Sequence, residues 1–469
     1  MIFDFFHSRS IVILDPLLKK FGKVLEEKGF QAYLVGGAVR DLILKKPCSD
    51  WDVATNATPE QVMSMFKFVV PTGIAHGTVT VHFHKTEIEV TTFRTESEYS
   101  DGRHPDKIAY ASTIEEDLSR RDFTMNAIAV NLRNGKICDP FGGRKDIRKK
   151  VIRTVGIPNE RFMEDGLRPI RALRFASQLN FSIEKDTFSE IFKSDVQKKI
   201  TSISIERFRD EFLKMLKSEK PSVGLKLMEE TGILKLFIPE FEICRGCIQG
   251  DGRGFHDFDV MDHLIYACDG APKNNYKVRL AALFHDIGKP SCKRVIENEK
   301  DGQLFTFYNH DNEGAKITEK ILRRLKFSNE EIADVSHLVK NHMFHYESSW
   351  SDAAVRRFIV RVGLQYMDDL FDLRVADVFG MHNNQVNLRN STTSENILEL
   401  KERIEKITEK QNALSLKDLC VNGKDLMDIG IPSGKKMGVV LNELFEAVLE
   451  DPEMNNREKL LKLAESYKE

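Results

Sequence analysis

Apolar residues along the first part of the chain follow two periods. Residues 11–28 space them as an amphipathic helix does, leading into the apolar run Ala32-Tyr33-Leu34-Val35, which reads as a short buried strand. In Thr78–Phe83, Val79, Val81 and Phe83 alternate with polar residues. In Glu87–Phe93, Ile88 and Val90 face one way while Glu87, Glu89 and Thr91 face the other. Between these strands, Thr58-Pro59-Glu60 has the cap and first-turn proline of a helix start. From about residue 158 the period is helical. An amphipathic helix opens at Ile205, an apolar one at Leu280, and Leu441, Leu444, Phe445 and Val448 form a stripe near the end. The pattern predicts an α+β chain: a head with a small mixed sheet, then helices.

The first strand runs directly into Gly36-Gly37, followed by a predicted helix from Val39 to Leu44. Glycines allow a tight turn and a close approach of backbone to ligand. The free N–H groups of the following helix suit an anion such as a triphosphate. Asp50 and Asp52 follow at i and i+2, so in an extended segment they point to one side, roughly 6.6 Å apart along the backbone. Two carboxylates on one face suit one or two Mg²⁺ ions. Glu89, on the open face of its strand, is the candidate third carboxylate. After a polar stretch, Thr95 to Pro105, that reads as a mobile loop comes Arg120-Arg121-Asp122-Phe123-Thr124-Met125-Asn126-Ala127. Its arginines suit phosphate, and Asp122 or Asn126 can accept from a ribose hydroxyl. Asp139-Pro140-Phe141-Gly142-Gly143 closes this region with turn residues.

In the helical part, Asp165 and Arg168 are three apart and are predicted to be neighbours on one helix face. Together they offer an acceptor and a fork of donors to the edge of a base, a pairing worth roughly 1–3 kcal/mol. Pro169 predicts a kink there, because its ring clashes with the carbonyl of Asp165. Arg207 and Glu211 stand at i and i+4. Beyond a glycine-containing segment, Gly246 to Gly254, lie His263, the doublet His285-Asp286 followed by Ile287-Gly288-Lys289, and Asp377. Imidazole and carboxylate ligands together suit a transition metal or Mg²⁺. His310 and His342 are candidates to hold a second ion.

Composition narrows the setting. Hydrophobic residues make up 41% and charged residues 30% of the 469, ordinary for a globular chain of two to four domains. The net charge of -2 gives no global basicity, so any nucleic-acid surface must be local. Seven scattered cysteines point to a reducing cytoplasm, and the pair Cys244 and Cys247 reads as ordinary thiols. The N-terminus lacks the basic region and long apolar core of a signal peptide. No apolar run reaches the roughly 18 residues that suggest a membrane span. The expectation is a cytoplasmic protein.

The strand, glycine pair, Val39-Arg40-Asp41 and Asp50-Trp51-Asp52 together resemble the nucleotidyltransferase signature of the polymerase-beta-like superfamily. Within it, the chain resembles the branch of tRNA nucleotidyltransferases (CCA-adding enzymes) and bacterial poly(A) polymerases. Glu89 to Arg94 matches that family's third-carboxylate context, and Arg120 to Ala127 its ribose motif. Glu164-Asp165-x-x-Arg168-x-x-Arg171 matches the motif by which the family reads bases with side chains. The resemblance implies catalysis by Asp50, Asp52 and Glu89 with Mg²⁺. It implies nucleotide binding by Gly36, Gly37, Arg40, Arg121, Asp122, Asn126, Asp165, Arg168, Arg171 and Arg174. Ile205 to Phe212 resembles the motif that braces the neck region.

His263, His285, Asp286 and Asp377 resemble the order of an HD phosphohydrolase, holding Mg, Mn, Ni or Fe. Implied regions are a catalytic head at 1–150 and a helical neck and body at 151–245. An HD domain at 246–390 and an RNA-binding tail at 391–469 follow. Implied partners are the tRNA acceptor arm, CTP and ATP. The leading reading is CCA addition. A-adding and poly(A) polymerase activities share these motifs, whereas a CC-adding enzyme is expected to have a shorter loop than Glu96 to Pro105. Readings of another class are a chain whose HD half is the working phosphodiesterase or phosphatase, or an RNA-binding module without turnover.

Overall fold

The computed structural model describes residues 11–48, 50–74, 77–97, 107–249, 258–298, 302–382, 392–410 and 413–467. The chain divides into two compact units, Met1–Pro239 and Glu240–Glu469. The loop expected between Glu96 and Pro105 begins as strand, and its remainder from residue 98 lies outside the described residues, as do residues 250–254 of the glycine-containing segment.

The first unit opens with helix α1 (Pro16–Glu27), capped by Asp15, whose carboxylate accepts from the Leu17 N–H. Leu18, Phe21 and Leu25 form its buried face. Strand β1 (Ala32–Val35) passes directly into α2 (Gly36–Ile43), so the helix begins at the glycines themselves, three residues before the predicted start. Then come β2 (Trp51–Thr55), α3 (Pro59–Met65), β3 (Val69–Gly73), β4 (Thr78–Phe83) and β5 (Thr86–Thr92). Helix α3 carries the expected cap, completed by Gln61 reaching back to the Thr58 N–H. A hairpin of β6 (Arg94–Ser97) and β7 (Lys107–Tyr110) leads to α4 (Ile114–Ser119), then β8 (Ala129–Asn131), β9 (Ile137–Cys138) and α5 (Gly143–Lys149).

The main sheet has seven strands in the order β3-β4-β5-β2-β1-β8-β9. β2 and β5 are parallel neighbours despite being far apart in sequence, with Asp52 opposite Glu89. Ile88 and Val90 are buried and Glu89 exposed, as the alternation predicts. Ile114 and Leu118 of α4 join Val35 and Ala54 of the sheet in one apolar cluster. This packing brings the charged end of α4 beside the strand ends.

The unit continues through β10 (Val151–Ile152), α6 (Pro158–Glu164), α7 (Leu167–Leu179), β11 (Ser182–Ile183), α8 (Lys185–Glu190), α9 (Ser194–Thr201) and α10 (Ile205–Leu216). It closes with α11 (Pro221–Glu230) and α12 (Ile233–Phe237), and α7 packs against α10 and α11.

Among its described residues, the second unit is helical apart from one hairpin. It contains α13 (Val260–Gly270), α14 (Tyr276–Phe284), α15 (Lys289–Cys292), β12 (Arg294–Asn298) and β13 (Gly302–Thr306). Next are α16 (His310–Arg324), α17 (Asn329–Asn341), α18 (Asp352–Val362), α19 (Met367–His382) and α20 (Thr392–Glu409). Helices α21 (Gly423–Asp428), α22 (Lys435–Glu450) and α23 (Arg457–Glu465) surround a separate apolar cluster that includes Leu444, Phe445 and Val448. No described helix is long and apolar enough to cross a membrane.

Candidate active site and metal centre

In the first unit, Asp52 and Glu89 stand side by side on parallel strands, and Asp50 lies exposed just before β2. Neighbouring strands are about 4.8 Å apart, so the two carboxylates crowd one face. Burial, then the Glu89 charge, raises the Asp52 carboxyl to about 6, although Arg121 acts to lower it. Gly36 meets this cluster with a positive φ of 68°. A Cβ there would lie 3.1 Å from Arg121 Nη1 and 3.2 Å from Asp52 Oδ2, so the backbone approaches the carboxylates as only glycine allows. Asp117, buried on α4, accepts from both Arg120 and Arg121 and holds the latter at the site. Among the described residues, Asp50, Asp52 and Glu89 do not form a closed ligand group. Three like charges favour separation until a cation joins them.

A chain of buried polar contacts leads from here to α7. Arg40 donates through Nε and Nη2 to Asp41 and through Nη1 to Asn126 Oδ1, at 3.0 Å. Asn126 donates to Asp122 Oδ1, and Arg171 donates to Asp122 Oδ2 through Nε at 2.8 Å. Burial pushes the Asp122 carboxyl up, but Arg171, Asn126 and Arg168 outweigh it and hold it at about 2. Glu211 on α10 accepts from Arg174 Nε at 2.6 Å. Burial brings Arg174 down to about 10 despite Glu211. Its guanidinium lies 3.6 Å from the Phe175 ring centroid, and those of Arg40 and Arg171 also lie over that ring. The nucleotide-binding candidates Arg40, Asp122, Asn126, Arg171 and Arg174 thus form one connected set.

The structure corrects the expected arrangement of Asp165 and Arg168. α6 ends at Glu164, and Asp165 is extended, with φ −144° and ψ 112°. The two residues therefore do not share a helix face. Asp165 instead receives both Nη atoms of Arg207, at 3.1 and 2.7 Å. Arg168 donates to Glu164 and to the carbonyls of Arg161 and Arg120. Gly166, which follows the break, is packed against α9: a Cβ there would lie 2.4 Å from the Lys199 carbonyl. Pro169 falls in the first turn of α7, where its missing N–H would have no intrahelical partner, so the predicted kink is absent and α7 runs unbroken to Leu179. Arg207 and Glu211 do not pair with each other; one holds Asp165 and the other Arg174. Asp117 has no role in the sequence reading, although Asp117–Arg121 has the same i,i+4 spacing as Glu164–Arg168.

In the second unit all six candidate ligands converge. His263 Nε2 lies 3.3 Å from both Asp286 Oδ2 and Asp377 Oδ1, and 3.0 Å from His285 Nε2. His310 Nε2 lies 3.2 Å and His342 Nε2 3.5 Å from the other Asp286 oxygen. The geometry defines two ligand groups, His263/His285/Asp286 and Asp286/His310/His342, all buried. The Nδ1 atoms of His285, His310 and His342 lie 2.7–2.9 Å from the carbonyls of Ala282, Phe307 and Val339. A proton on each Nδ1 leaves Nε2 as a lone pair facing the centre, the form a metal requires. Facing imidazole nitrogens 3.0 and 3.3 Å apart suit a shared cation. Burial acts to lower His285, but Asp286 and Asp377 more than offset it and raise it to about 10, a field that favours positive charge. Lys289, which closes the run Asp286-Ile287-Gly288-Lys289, and Arg374, which sequence reasoning misses, each hold a ligand carboxylate, at i+3 from Asp286 and i−3 from Asp377.

Comparison with known proteins matches this architecture. Residues 32–153 fit the family of the poly A polymerase head domain. Residues 180–244 fit "Probable RNA and SrmB- binding site of polymerase A", and 296–464 fit a tRNA nucleotidyltransferase domain 2. These matches define the chain as a nucleotidyltransferase of the poly(A) polymerase-like class. More narrowly, it belongs to the CCA-adding enzyme family. It is 33% identical over 464 residues to the CCA-adding enzyme of Ligilactobacillus salivarius, covering 97% of this chain and 96% of that one. It is 32% identical over 458 residues to that of Staphylococcus epidermidis, covering 96% and 97%. Among solved structures, the Bacillus stearothermophilus CCA-adding enzyme in complex with CTP superposes with a TM-score of 0.71 at 27% identity, covering 97% of this chain and 98% of that one. Membership in this family implies use of a divalent metal.

Proposed function

We propose that this chain adds CCA to tRNA 3′ ends, using CTP and ATP. The observation that carries this reading is the register of Asp52 with Glu89 beside the Gly36 turn, in a chain similar over nearly its full length to CCA-adding enzymes. The donor set is carboxylate oxygen alone, which suits Mg²⁺. Mg²⁺ bound there would neutralise triphosphate charge and make the RNA 3′-hydroxyl more acidic. Asp50 and Asp52 hold the ions, and Glu89 supports Asp52. Gly36, Gly37, Arg40 and Arg121 hold the triphosphate. Asn126 faces the sugar, and Asp122 orients Asn126 and Arg171. Asp165 and Arg168 read the base edge, steadied by Arg207 and Glu164, and Arg171 and Arg174 complete the nucleotide pocket. The 3′-oxygen attacks the α-phosphorus, and pyrophosphate leaves.

The second unit supports a further activity, hydrolysis of phosphate esters. Six converging ligands of mixed nitrogen and oxygen type suit Mn, Ni, Fe or Mg. Such ions activate water for attack on phosphorus.

One pair of variants tests both readings. Asp50→Ala is expected to abolish nucleotide transfer and leave phosphate-ester hydrolysis intact, and Asp286→Ala the reverse. Loss of both activities in either variant would remove the two-site reading.

A further inference from the structure

The metal centre of the second unit lies at the floor of a cavity of about 610 Å³. Lys289 and Arg374 line it beside the ligands, as do Phe305, Phe307 and Tyr308, and the Lys289 ammonium lies 5.6 Å from the Phe307 ring centroid. Tyr308 is 75% exposed at the mouth. Cations beside a phosphate-type centre, with aromatic rings in the same lining, suit a nucleotide whose base stacks rather than forms specific hydrogen bonds.

The cavity has a neighbour. A second cavity, of about 310 Å³, shares Asp311 and Met343 with the first. Met343, 57% exposed, stands between them as a sill. Lys340, in the last turn of α17, and Arg361, in the last turn of α18, line the second cavity. Neither pairs with a carboxylate among the described residues, and Arg361 lies over the Phe358 ring. Asp311 is the sole acid in this lining. His337 is engaged with the Val362 carbonyl through Nε2 and adds no negative charge. The second cavity therefore carries an excess of positive charge and none of the six ligands.

A reacting centre joined to a cationic pocket matches a strand, whose next phosphate follows directly after the terminal one. We propose that the metal centre acts on the phosphorylated end of an oligonucleotide, and that Lys340 and Arg361 bind the adjacent phosphodiester. This rests on the hydrolase reading of the centre. In the reaction, a water oxygen bonds to the terminal phosphorus and the bond from phosphorus to the ribose oxygen breaks. A water proton passes to that oxygen, so the products are a hydroxyl end and inorganic phosphate, with no change of oxidation state.

The test uses the full chain loaded in turn with Mg²⁺, Mn²⁺, Ni²⁺ or Fe²⁺, with phosphate release as readout. A nucleoside monophosphate is compared with a trinucleotide carrying the same phosphate, at the 3′ or the 5′ end. The expected result is a KM roughly tenfold lower for the trinucleotide, with kcat little changed. The Lys340→Ala/Arg361→Ala variant should lose this advantage and keep its mononucleotide kinetics. In chelator, the trinucleotide but not the mononucleotide should slow hydrogen exchange around residues 337–343. Equal KM values, an advantage retained in the variant, or no such protection would overturn the proposal and leave the hydrolase reading standing. No phosphate release from either substrate with any of these metals would overturn the hydrolase reading itself.

Discussion

Asp52 on β2 stands in register with Glu89 on the parallel strand β5, although 37 residues separate them in the chain. Burial, together with their mutual repulsion, raises the Asp52 carboxyl to about 6. The site is thus destabilised without a cation. A divalent ion would convert that repulsion into attraction.

A pH effect with a definite sign follows. The folded-state value for Asp52 lies above that of an unfolded aspartate, so ionisation favours unfolding. The metal-free protein should lose stability as pH rises from about 4 to about 6, by on the order of 1–2 kcal/mol from this residue. Asp52→Asn should melt higher than wild type in chelator at pH 7.5 and have no transferase activity. Thermal melts across this pH range check the prediction; an equal or lower melting point for the variant would contradict it.

Glu211 is buried against Arg174 and near Arg171. Glu211→Ala leaves cationic side chains without their carboxylate, which is expected to destabilise the first unit by on the order of 3 kcal/mol. Urea denaturation followed by a probe in that unit measures it. A change well under 1 kcal/mol would mean that Gln178, which accepts from Arg174 Nη1 at 2.6 Å, and the Phe175 ring suffice to hold Arg174.

Arg207 fixes the orientation of Asp165 through two hydrogen bonds. Arg207→Ala is expected to reduce discrimination of CTP and ATP against GTP and UTP by roughly tenfold. Arg207→Lys should recover only part of this, because an ammonium does not reproduce the planar fork. Competition assays with all four nucleotides read the ratio, and full selectivity in Arg207→Ala would rule out this role.

The two ligand groups around Asp286 predict two metal ions in the second unit. His310→Ala/His342→Ala should bind one fewer ion per chain after loading and dialysis. Metal analysis in an Asp50→Ala background, which removes the first-unit site, gives the count directly; no difference would place both histidines outside the ligand set.

Much of this was legible in the sequence because it depends on local periodicity. Alternation put Glu89 on the face opposite Ile88 and Val90, and the structure agrees. The order of His263, His285, Asp286 and Asp377 marked ligands that do converge. What could not be read is pairing across long separations. The parallel union of β2 with β5 depends on sheet topology, and the grip of Arg207 on Asp165 depends on how α10 packs near the α6–α7 junction. The break between those helices did leave a signal. Gly166 and Pro169 punctuate the segment, but spacing alone favours i,i+3 neighbours on one continuous helix across Asp165.

The most direct measurement extends tRNAs lacking three, two, one or none of their terminal CCA nucleotides, with each NTP supplied singly and together, resolved to one nucleotide. The account predicts two C residues, then one A, then a stop. Extension of the CC-ended tRNA alone would identify A-addition instead, and unlimited A addition would identify a poly(A) polymerase; either result would contradict the proposed product.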